Sequence, residues 1–263
     1  MKTESRLEKV LASGNLAVTS ECGPPRGALP DKVRVTRDRN RLAMQADILG
    51  AYAHGIDTML CLSGDHPYFG DHPQAMNVHD IDSIQFVQMV HQMREEGKFM
   101  GGGDILNPPK MFIGAAANPF ADPFELRVAR LAKKAKAGTD FVQTQCIYNL
   151  DKFELWMKGV RDRGLHEKVH ILAGITPMKT AGMARYMKNK VPGMDVPDEV
   201  VDRMAGVPKE KMAEEGIKIC VESIQRLKEV KGVSGFHIMA IEWEQKVPEI
   251  VEKAGLYPRP ENL

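Results

Sequence analysis

The amino-acid sequence predicts an α/β fold built around a parallel sheet. Short apolar runs rich in β-branched residues alternate with longer segments whose apolar residues recur at helical spacing. Nearly continuous hydrophobicity is typical of strands that are buried on both faces, as in parallel sheets. The chain has 263 residues, of which 43% are hydrophobic and 27% are charged, and no repeat or low-complexity linker divides it. We therefore expect a single domain over residues 1–263.

The predicted strands are six runs, in order NLAVTSECG, IDTMLCLSGD, KMFIGAAANP, TDFVQTQCIY, KVHILAGITP and VSGFHIMAIE. Between them, apolar residues repeat on one face over 40–55 and 80–97, which predicts amphipathic helices. Asp122 in DPFE predicts a helix N-cap, and Asn149 predicts another. Residues 192–232 are typical of a longer, charged helical insertion before the last strand.

Polar residues end almost every predicted strand, and this pattern favours a (β/α)8 TIM barrel among the α/β folds. These residues are Glu21, Asp65, Asn118, Gln145, Thr176 and Glu242. A (β/α)8 barrel places its active site on the rim formed by the carboxyl ends of its strands. A doubly wound sheet would instead concentrate its signal at one glycine-rich turn, and the sequence contains neither GxGxxG nor GxxxxGK[ST].

Composition argues against several classes of function. The net charge of +1 provides no basic surface for nucleic acid. No run approaches the ~20 apolar residues of a membrane span, and the start MKTESRLEKV lacks a signal-peptide core. Four separated cysteines without a CxxC pair argue against a metal site or disulfide framework, so we expect a cytoplasmic protein without a bound metal. The His66 and His72 region is interrupted by prolines, which also argues against a metal cluster.

Six motifs together closely resemble the methylenetetrahydrofolate reductases. They are SECGPPRG, TRDRNR, CLSGDHP, GAAANP, QTQ and AGITP, in that order and over nearly the whole chain. The ECGPPRG motif is similar to that of the short bacterial form found in acetogens. The resemblance implies a flavin-bearing barrel that reduces 5,10-methylenetetrahydrofolate to 5-methyltetrahydrofolate, with FAD as the usual cofactor and FMN as an alternative.

Glu21 matches the family's catalytic glutamate. Opening the methylene bridge requires a proton on nitrogen 10 of the folate, and a carboxylic acid with a raised pKa is a suitable donor. The prolines that follow Glu21 stiffen the exit of its strand. Without the resemblance, a glutamate that caps the next element or pairs with Arg26 would be the simpler interpretation.

Asp65 matches a family aspartate that lies near the flavin and favours the cationic folate intermediate. The resemblance places Thr36, Arg37 and Gly64 at the cofactor as well. Residues alone would allow a simple turn at Gly64 and Asp65 after a strand.

The remaining matched positions divide between cofactor and substrate. The resemblance assigns Ala116, Asn118 and Lys134 to the cofactor, although Lys134 could also lie on the solvated face of its helix. Gln145 matches the family glutamine that binds the pterin, since an amide both donates and accepts hydrogen bonds. Met187 stands where relatives use a stacking Phe, which makes Met187 a candidate residue of the folate groove. His237 matches a last-strand histidine, for which we expect a core role with a hydrogen bond to the backbone.

The segment after Pro30 is much shorter than in the family. Only Ala28 to Val35 cover the distance usually taken by strand two and its helix, and strand three is a remnant. Two explanations compete: the sequence omits a stretch, or the chain is truly shortened and closes differently or depends on a partner. We favour the first, because the remaining strands are complete and a selected deletion should have left compensating changes. A measured intact mass near 29.3 kDa would support the shortened chain.

The expected partners follow from the resemblance. They are methylenetetrahydrofolate, an electron donor that is NAD(P)H or a redox subunit, and a cysteine-rich metal-binding subunit. We also expect an oligomer. Two alternatives are a flavin-free pterin-binding methyltransferase barrel and a non-catalytic subunit of a folate enzyme complex.

Overall fold

Six parallel strands form one sheet, as the six apolar runs predict. The computed structural model describes residues 2–20, 35–258 and 260. The strands are β1 Ala17–Ser20, β2 Thr58–Cys61, β3 Phe112–Ala117, β4 Phe141–Cys146, β5 His170–Ile175 and β6 Val233–Ile238. The helices are α1 Arg6–Ala12, α2 Arg41–Ala53, α3 Ser83–Glu95, α4 Glu125–Ala137, α5 Leu150–Asp162, α6 Ala181–Lys190, α7 Asp198–Ala205, α8 Met212–Lys228 and α9 Val247–Lys253. No described helix is both long and apolar enough to cross a bilayer.

The sheet is curled and open. Its strand order is β1-β6-β5-β4-β3-β2, so β1 and β2 lie at the two outer edges among the described strands. Val35 adds a single parallel bridge to Leu62 beyond β2, where the sequence predicts a strand remnant. The eight strands of a closed barrel are not found among the described residues, so that expectation is corrected to a six-stranded half-barrel. The physical reason is length: each missing parallel strand needs a crossover of about a dozen residues or more, and 21–34 are too few for two such units.

The main core lies between the outer face of the sheet and the helices. Every second residue of each strand contributes its side chain to this core from the sheet. From the helices, the largest fully buried side chains include Trp156 and Phe153 of α5 and Phe86 of α3. Because successive strand residues point to opposite faces, the other half of each strand faces the concave side.

The helix α1 covers the amino-terminal end of the concave face. Its Leu11 packs with Phe112, Phe141 and Leu172, which are buried at that end. The rings of Phe112 and Phe141 are stacked, with centroids 5.2 Å apart. The amino-terminal end is therefore filled, which leaves the carboxyl end of the strands for a ligand.

The helix starts are partly as predicted. Asn149 caps α5 by accepting a hydrogen bond from the backbone nitrogen of Lys152, and the predicted insertion contains α7 and α8. The prediction for Asp122 is wrong, because α4 begins at Glu125 and Phe124 occupies its N-cap without a side-chain bond. The turn before α4 is held instead by Asn118, whose Oδ1 accepts from the backbone nitrogens of Phe120 and Ala121.

Candidate functional site

The chain segment before α2 lies beside the end of β2 and brings four predicted residues together. Backbone nitrogens of Thr36 and Arg37 donate to the carbonyls of Leu62 and Ser63, at 3.1 and 3.0 Å. Gly64 has a φ of +82°, and a Cβ on it would come within 2.9 Å of the Val35 Cβ. A side chain at position 64 is therefore excluded both by conformation and by the close approach of Val35.

Thr36 is fully buried at this junction, and its Oγ1 has no hydrogen-bond partner. Buried hydroxyls are normally paired, so such an unsatisfied group calls for a functional explanation or an unplaced partner. A polar ligand at the end of β2 would satisfy it.

Arg37 holds the β2 loop rather than presenting a free charge. Its Nη1 donates to the carbonyl oxygen of Asp65 at 2.5 Å, while its Nε and Nη2 bind the Asp38 carboxylate at 2.5 and 2.8 Å. Hydrogen bonding by Arg37 lowers the pKa of the Asp38 carboxyl below its usual range. The Asp65 side chain is exposed at the same place. Arg37 therefore fixes the backbone of the loop that carries Asp65.

Lys134 reaches the neighbouring strand end from α4. Its side chain is buried, and its ammonium group donates to the carbonyl oxygen of Ala116 on β3. Burial lowers the pKa of Lys134 to about 8. Lys134 thus lies on the inner side of its helix, so the alternative that it belongs to the solvated face is wrong.

Asn118 lies just past β3 and contacts the loop between α6 and α7. A Cβ on Gly193 would come within 2.2 Å of the Asn118 Nδ2, and Gly193 has a φ of +76°. The same loop is tied to α5, because Asp195 accepts from Asn149 at 3.1 Å and from Lys152 at 2.9 Å. Asn118 is therefore fixed by its own turn, through the hydrogen bonds to its Oδ1, and by its contact with the loop that carries Gly193.

Gln145 lies in a bulge of β4. The register changes from Gln143 opposite Leu172 to Cys146 opposite Gly174, so β4 has one extra residue there. Bulges often occur next to active sites, where they redirect side chains. Gln145 is half-buried, and its Oε1 accepts from the backbone nitrogen of Cys146 at 3.1 Å. The amide nitrogen of Gln145 makes no hydrogen bond to the described residues.

Met187 lies in a second core at the carboxyl ends of the strands rather than on an open groove. Its sulfur accepts a hydrogen bond from the Tyr148 hydroxyl at 3.1 Å, and both side chains are buried together with Met178. This burial does not favour direct stacking on a ligand, and the substrate role of Met187 stays a prediction.

His237 and Thr19 form a polar pair that the sequence did not single out as a site. The His237 Nδ1 and the Thr19 Oγ1 are 2.9 Å apart on adjacent strands β6 and β1. The expected hydrogen bond of His237 to the backbone is therefore replaced by one to a hydroxyl. A Thr two residues before Glu21 in an alternating strand was the signal that could have revealed it.

Glu21 and the rest of ECGPPRG lie outside the described residues. Its predicted role is unchanged by the structure. Among the described residues, no group of three or more His, Cys, Asp or Glu side chains could hold a metal ion.

The structure thus brings predicted residues to the adjacent ends of β2, β3 and β4. These are Thr36, Arg37, Gly64 and Asp65 at β2, Ala116, Asn118 and Lys134 at β3, and Gln145 at β4. Open α/β sheets bind ligands outside the carboxyl ends of their strands. The fold is therefore an α/β half-barrel with a candidate ligand site at the carboxyl ends of three adjacent strands.

The chain belongs to the methylenetetrahydrofolate reductase family, because the model of that family, "Methylenetetrahydrofolate reductase", matches residues 33–255. It is 29% identical over 150 residues to Methylenetetrahydrofolate reductase 1 of Schizosaccharomyces pombe, covering 55% of this chain and 24% of the relative. It is 23% identical over 214 residues to a probable methylenetetrahydrofolate reductase (NADPH) of Caenorhabditis elegans, covering 79% of this chain and 29% of the relative. The chain therefore spans less than a third of either relative.

A solved structure has a similar fold. It is an uncharacterized protein from Clostridium thermocellum, described as binding two copies of 5-methyl-5,6,7,8-tetrahydrofolic acid. The TM-score is 0.51 at 12% identity, over 94% of this chain and 97% of that one. At this identity the likeness establishes the fold alone.

The residues present fit the flavin that the family generally uses. The unpaired Thr36 hydroxyl and the buried Lys134 ammonium lie at adjacent strand ends, where a hydroxyl or phosphate of a cofactor would find both donors. The Lys134 ammonium has only one carbonyl partner among the described residues, so its other protons are available.

Proposed function

We propose that this chain reduces 5,10-methylenetetrahydrofolate to 5-methyltetrahydrofolate with a bound flavin. The observation that carries the proposal is the family match over 33–255 together with the gathering of its matched residues at the ends of β2, β3 and β4. Thr36 and Lys134 would hold the flavin, which supplies hydride transfer when bound. FAD is the first choice and FMN the second.

The chain's own residues contribute binding and proton transfer. We propose that Gln145 binds the pterin edge through its free amide nitrogen, and that Asp65 places a negative charge where the folate becomes cationic. Arg37 holds Asp65 by its carbonyl, so the Asp65 carboxylate is left for the substrate. Glu21, which directly follows β1 in the chain, would deliver the proton to nitrogen 10.

The test begins with the purified wild-type protein. We expect a flavin absorbance spectrum, a cofactor mass of FAD or FMN, and turnover of methylenetetrahydrofolate with a suitable electron donor. Glu21→Gln should keep the flavin and its reduction by the donor but lose folate turnover. Normal turnover by Glu21→Gln would reject the acid role, and a colourless protein that takes up no flavin would reject the proposal.

A second candidate is a flavin-free pterin-binding protein. The structural neighbour's description as a 5-methyltetrahydrofolate binder favours it. A protein that binds 5-methyltetrahydrofolate but takes up neither FAD nor FMN would identify this alternative. The acetogen-type assignment, NAD(P)H or a redox subunit as electron donor, a cysteine-rich metal-binding subunit, an oligomeric state and a cytoplasmic location belong to the same proposal and need separate measurements.

A further inference from the structure

We propose that His237 is a substrate-binding residue whose Nε2 makes a hydrogen bond to the folate ring system, and that Thr19 is the positioning residue that fixes its imidazole. This inference rests on the proposed function and adds a contact from the β6 side of the sheet. The predicted site residues that the structure describes at strand ends come from β2, β3 and β4.

The direction of the His237 side chain follows from its neighbours. Phe236 and Ile238 are buried in the main core on the helix side of the sheet. Because strand residues alternate between faces, His237 points to the concave side. Thr19, its partner on β1, points the same way, since Val18 packs against the main core.

The imidazole of His237 makes a hydrogen bond at Nδ1 and leaves Nε2 for a ligand. The Nδ1 is 2.9 Å from the Thr19 Oγ1. The Nε2 has no hydrogen-bond partner among the described residues and is not one of their fully buried unpaired atoms. The residue as a whole is 8% exposed, and the Nε2 edge is the part of the ring that we infer reaches open space.

The surroundings suit a neutral ring rather than an ion pair. Burial lowers the pKa of His237 to about 4, with no carboxylate among the described residues to offset it. A neutral imidazole offers one donor or one acceptor at Nε2, depending on whether the Thr19 hydroxyl donates to Nδ1 or accepts from it. Either arrangement matches a pterin edge, which carries both kinds of group.

The next strand brings the bulge of β4 close to His237. His237 is paired with Gly174 on β5, which has no side chain. A Cβ there would come within 2.2 Å of the Thr144 carbonyl oxygen, so the bulge of β4 requires glycine at this position. The bulge of β4, which carries Gln145, therefore lies directly beside the strand residue that is paired with His237.

The experiment measures the affinity for 5-methyltetrahydrofolate by calorimetry in wild type and four variants of the flavin-loaded protein. His237→Asn keeps a polar atom near Nδ1 but none near Nε2, whereas His237→Gln reaches the position of Nε2. We expect about tenfold weaker binding in His237→Asn and affinity within about twofold of wild type in His237→Gln. Thr19→Val, which keeps the shape of the side chain, should weaken binding by a smaller factor. His54→Asn, at an exposed position after α2, is the control and should change nothing.

The outcomes separate this inference from the proposed function. If wild type binds 5-methyltetrahydrofolate and His237→Asn binds it equally well, the role of His237 is overturned while the proposed function stands. Weakened flavin binding with unchanged folate affinity would also overturn it. Equal losses in His237→Asn and His237→Gln, together with equally lowered melting temperatures, would mean a purely structural residue. If wild type binds no folate, both the function and this inference fail.

Discussion

At the scale of single residues, a buried charge cluster holds the amino-terminal edge of the sheet. The side chains of Arg94 and Asp140 are each 3% exposed and are paired with each other. Asp140 also accepts from Lys2 at 2.7 Å and from the backbone nitrogen of Ile113 at 2.8 Å. Arg94 donates to the Met111 carbonyl at 2.7 Å. This cluster joins the N-terminal segment, α3 and two strand starts at the end of the sheet opposite the site.

Asp140→Asn should lower the free energy of unfolding by about 3–5 kcal/mol, because it leaves a buried guanidinium without its counter-charge. Urea denaturation monitored by circular dichroism measures the change. Asp162→Asn, which breaks the exposed pair with Lys158, is the matched control and should cost less than about 0.5 kcal/mol. Equally small losses of unfolding free energy in the two variants would show that the charge of Asp140 contributes little to stability.

Lys134 links stability to pH. Burial lowers its pKa to about 8 in the folded chain, whereas an unfolded lysine titrates near ~10.4. Between these values the unfolded state binds more protons than the folded state, so the free energy of unfolding rises with pH there. Lys134→Met should remove that rise and gain on the order of 3 kcal/mol at neutral pH.

The measurement is urea unfolding of wild type and Lys134→Met at a series of pH values from neutral to alkaline. The neighbouring Lys133 is exposed on the same helix, so Lys133→Met is the control. If the two variants have the same pH dependence as wild type, the lysine at 134 is solvated and the pKa assignment is wrong.

At the scale of elements, the caps of α5 and α6 allow a direct comparison. Asn149 accepts from the backbone nitrogen of Lys152 at 2.9 Å and also donates to Asp195. Thr180 caps α6 by accepting from Met183 at 3.0 Å and makes no second side-chain bond among the described residues. Thr180→Ala should cost about 1 kcal/mol in thermal unfolding. Asn149→Ala should cost more than that, because it also frees the loop that contacts Asn118. A smaller loss of stability in Asn149→Ala than in Thr180→Ala would contradict a stabilising role for the hydrogen bond between Asn149 and Asp195.

At the scale of the whole molecule, the open sheet predicts uneven protection from hydrogen exchange. Among the described strands, β1 is paired only with β6, whereas β5 has β4 and β6 on its two sides. Edge strands open at lower free energy than central strands. Exchange followed by mass spectrometry should therefore show faster labelling in β1 than in β5. Equal protection would mean that further chain, from this protein or a partner, covers the edge of β1.

The same openness makes the intact mass informative. A mass near 29.3 kDa would support a truly shortened chain, and a larger mass would support an omitted stretch before Val35. In the first case we expect an oligomer in sedimentation experiments, because exposed strand edges favour pairing with another chain. A stable monomer of 29.3 kDa would contradict that expectation.

Local patterns predicted most elements because each depends on nearby residues. All six strands lie within the apolar runs, and the helices over 40–55 and 80–97 appear as α2 and α3. The start of α4 was predicted wrongly because Asn118, several residues earlier, shapes the turn by accepting hydrogen bonds from the backbone nitrogens of Phe120 and Ala121. The strand patterns did not determine whether the sheet closes into a barrel. Closure depends on the complete ring of strands, and a local pattern reports on one strand at a time.

By itself, the sequence determined where the six strands lie along the chain, the family, and the polar residues that follow the strands. These features depend on residue type and spacing. Only the tertiary structure decided that Lys134 is buried against Ala116, that Thr36 has an unpaired hydroxyl, that Met187 packs on Tyr148 and that His237 is held by Thr19. Burial and pairing depend on which strand ends become neighbours. Parallel strands become neighbours only through long crossovers, which local spacing does not encode.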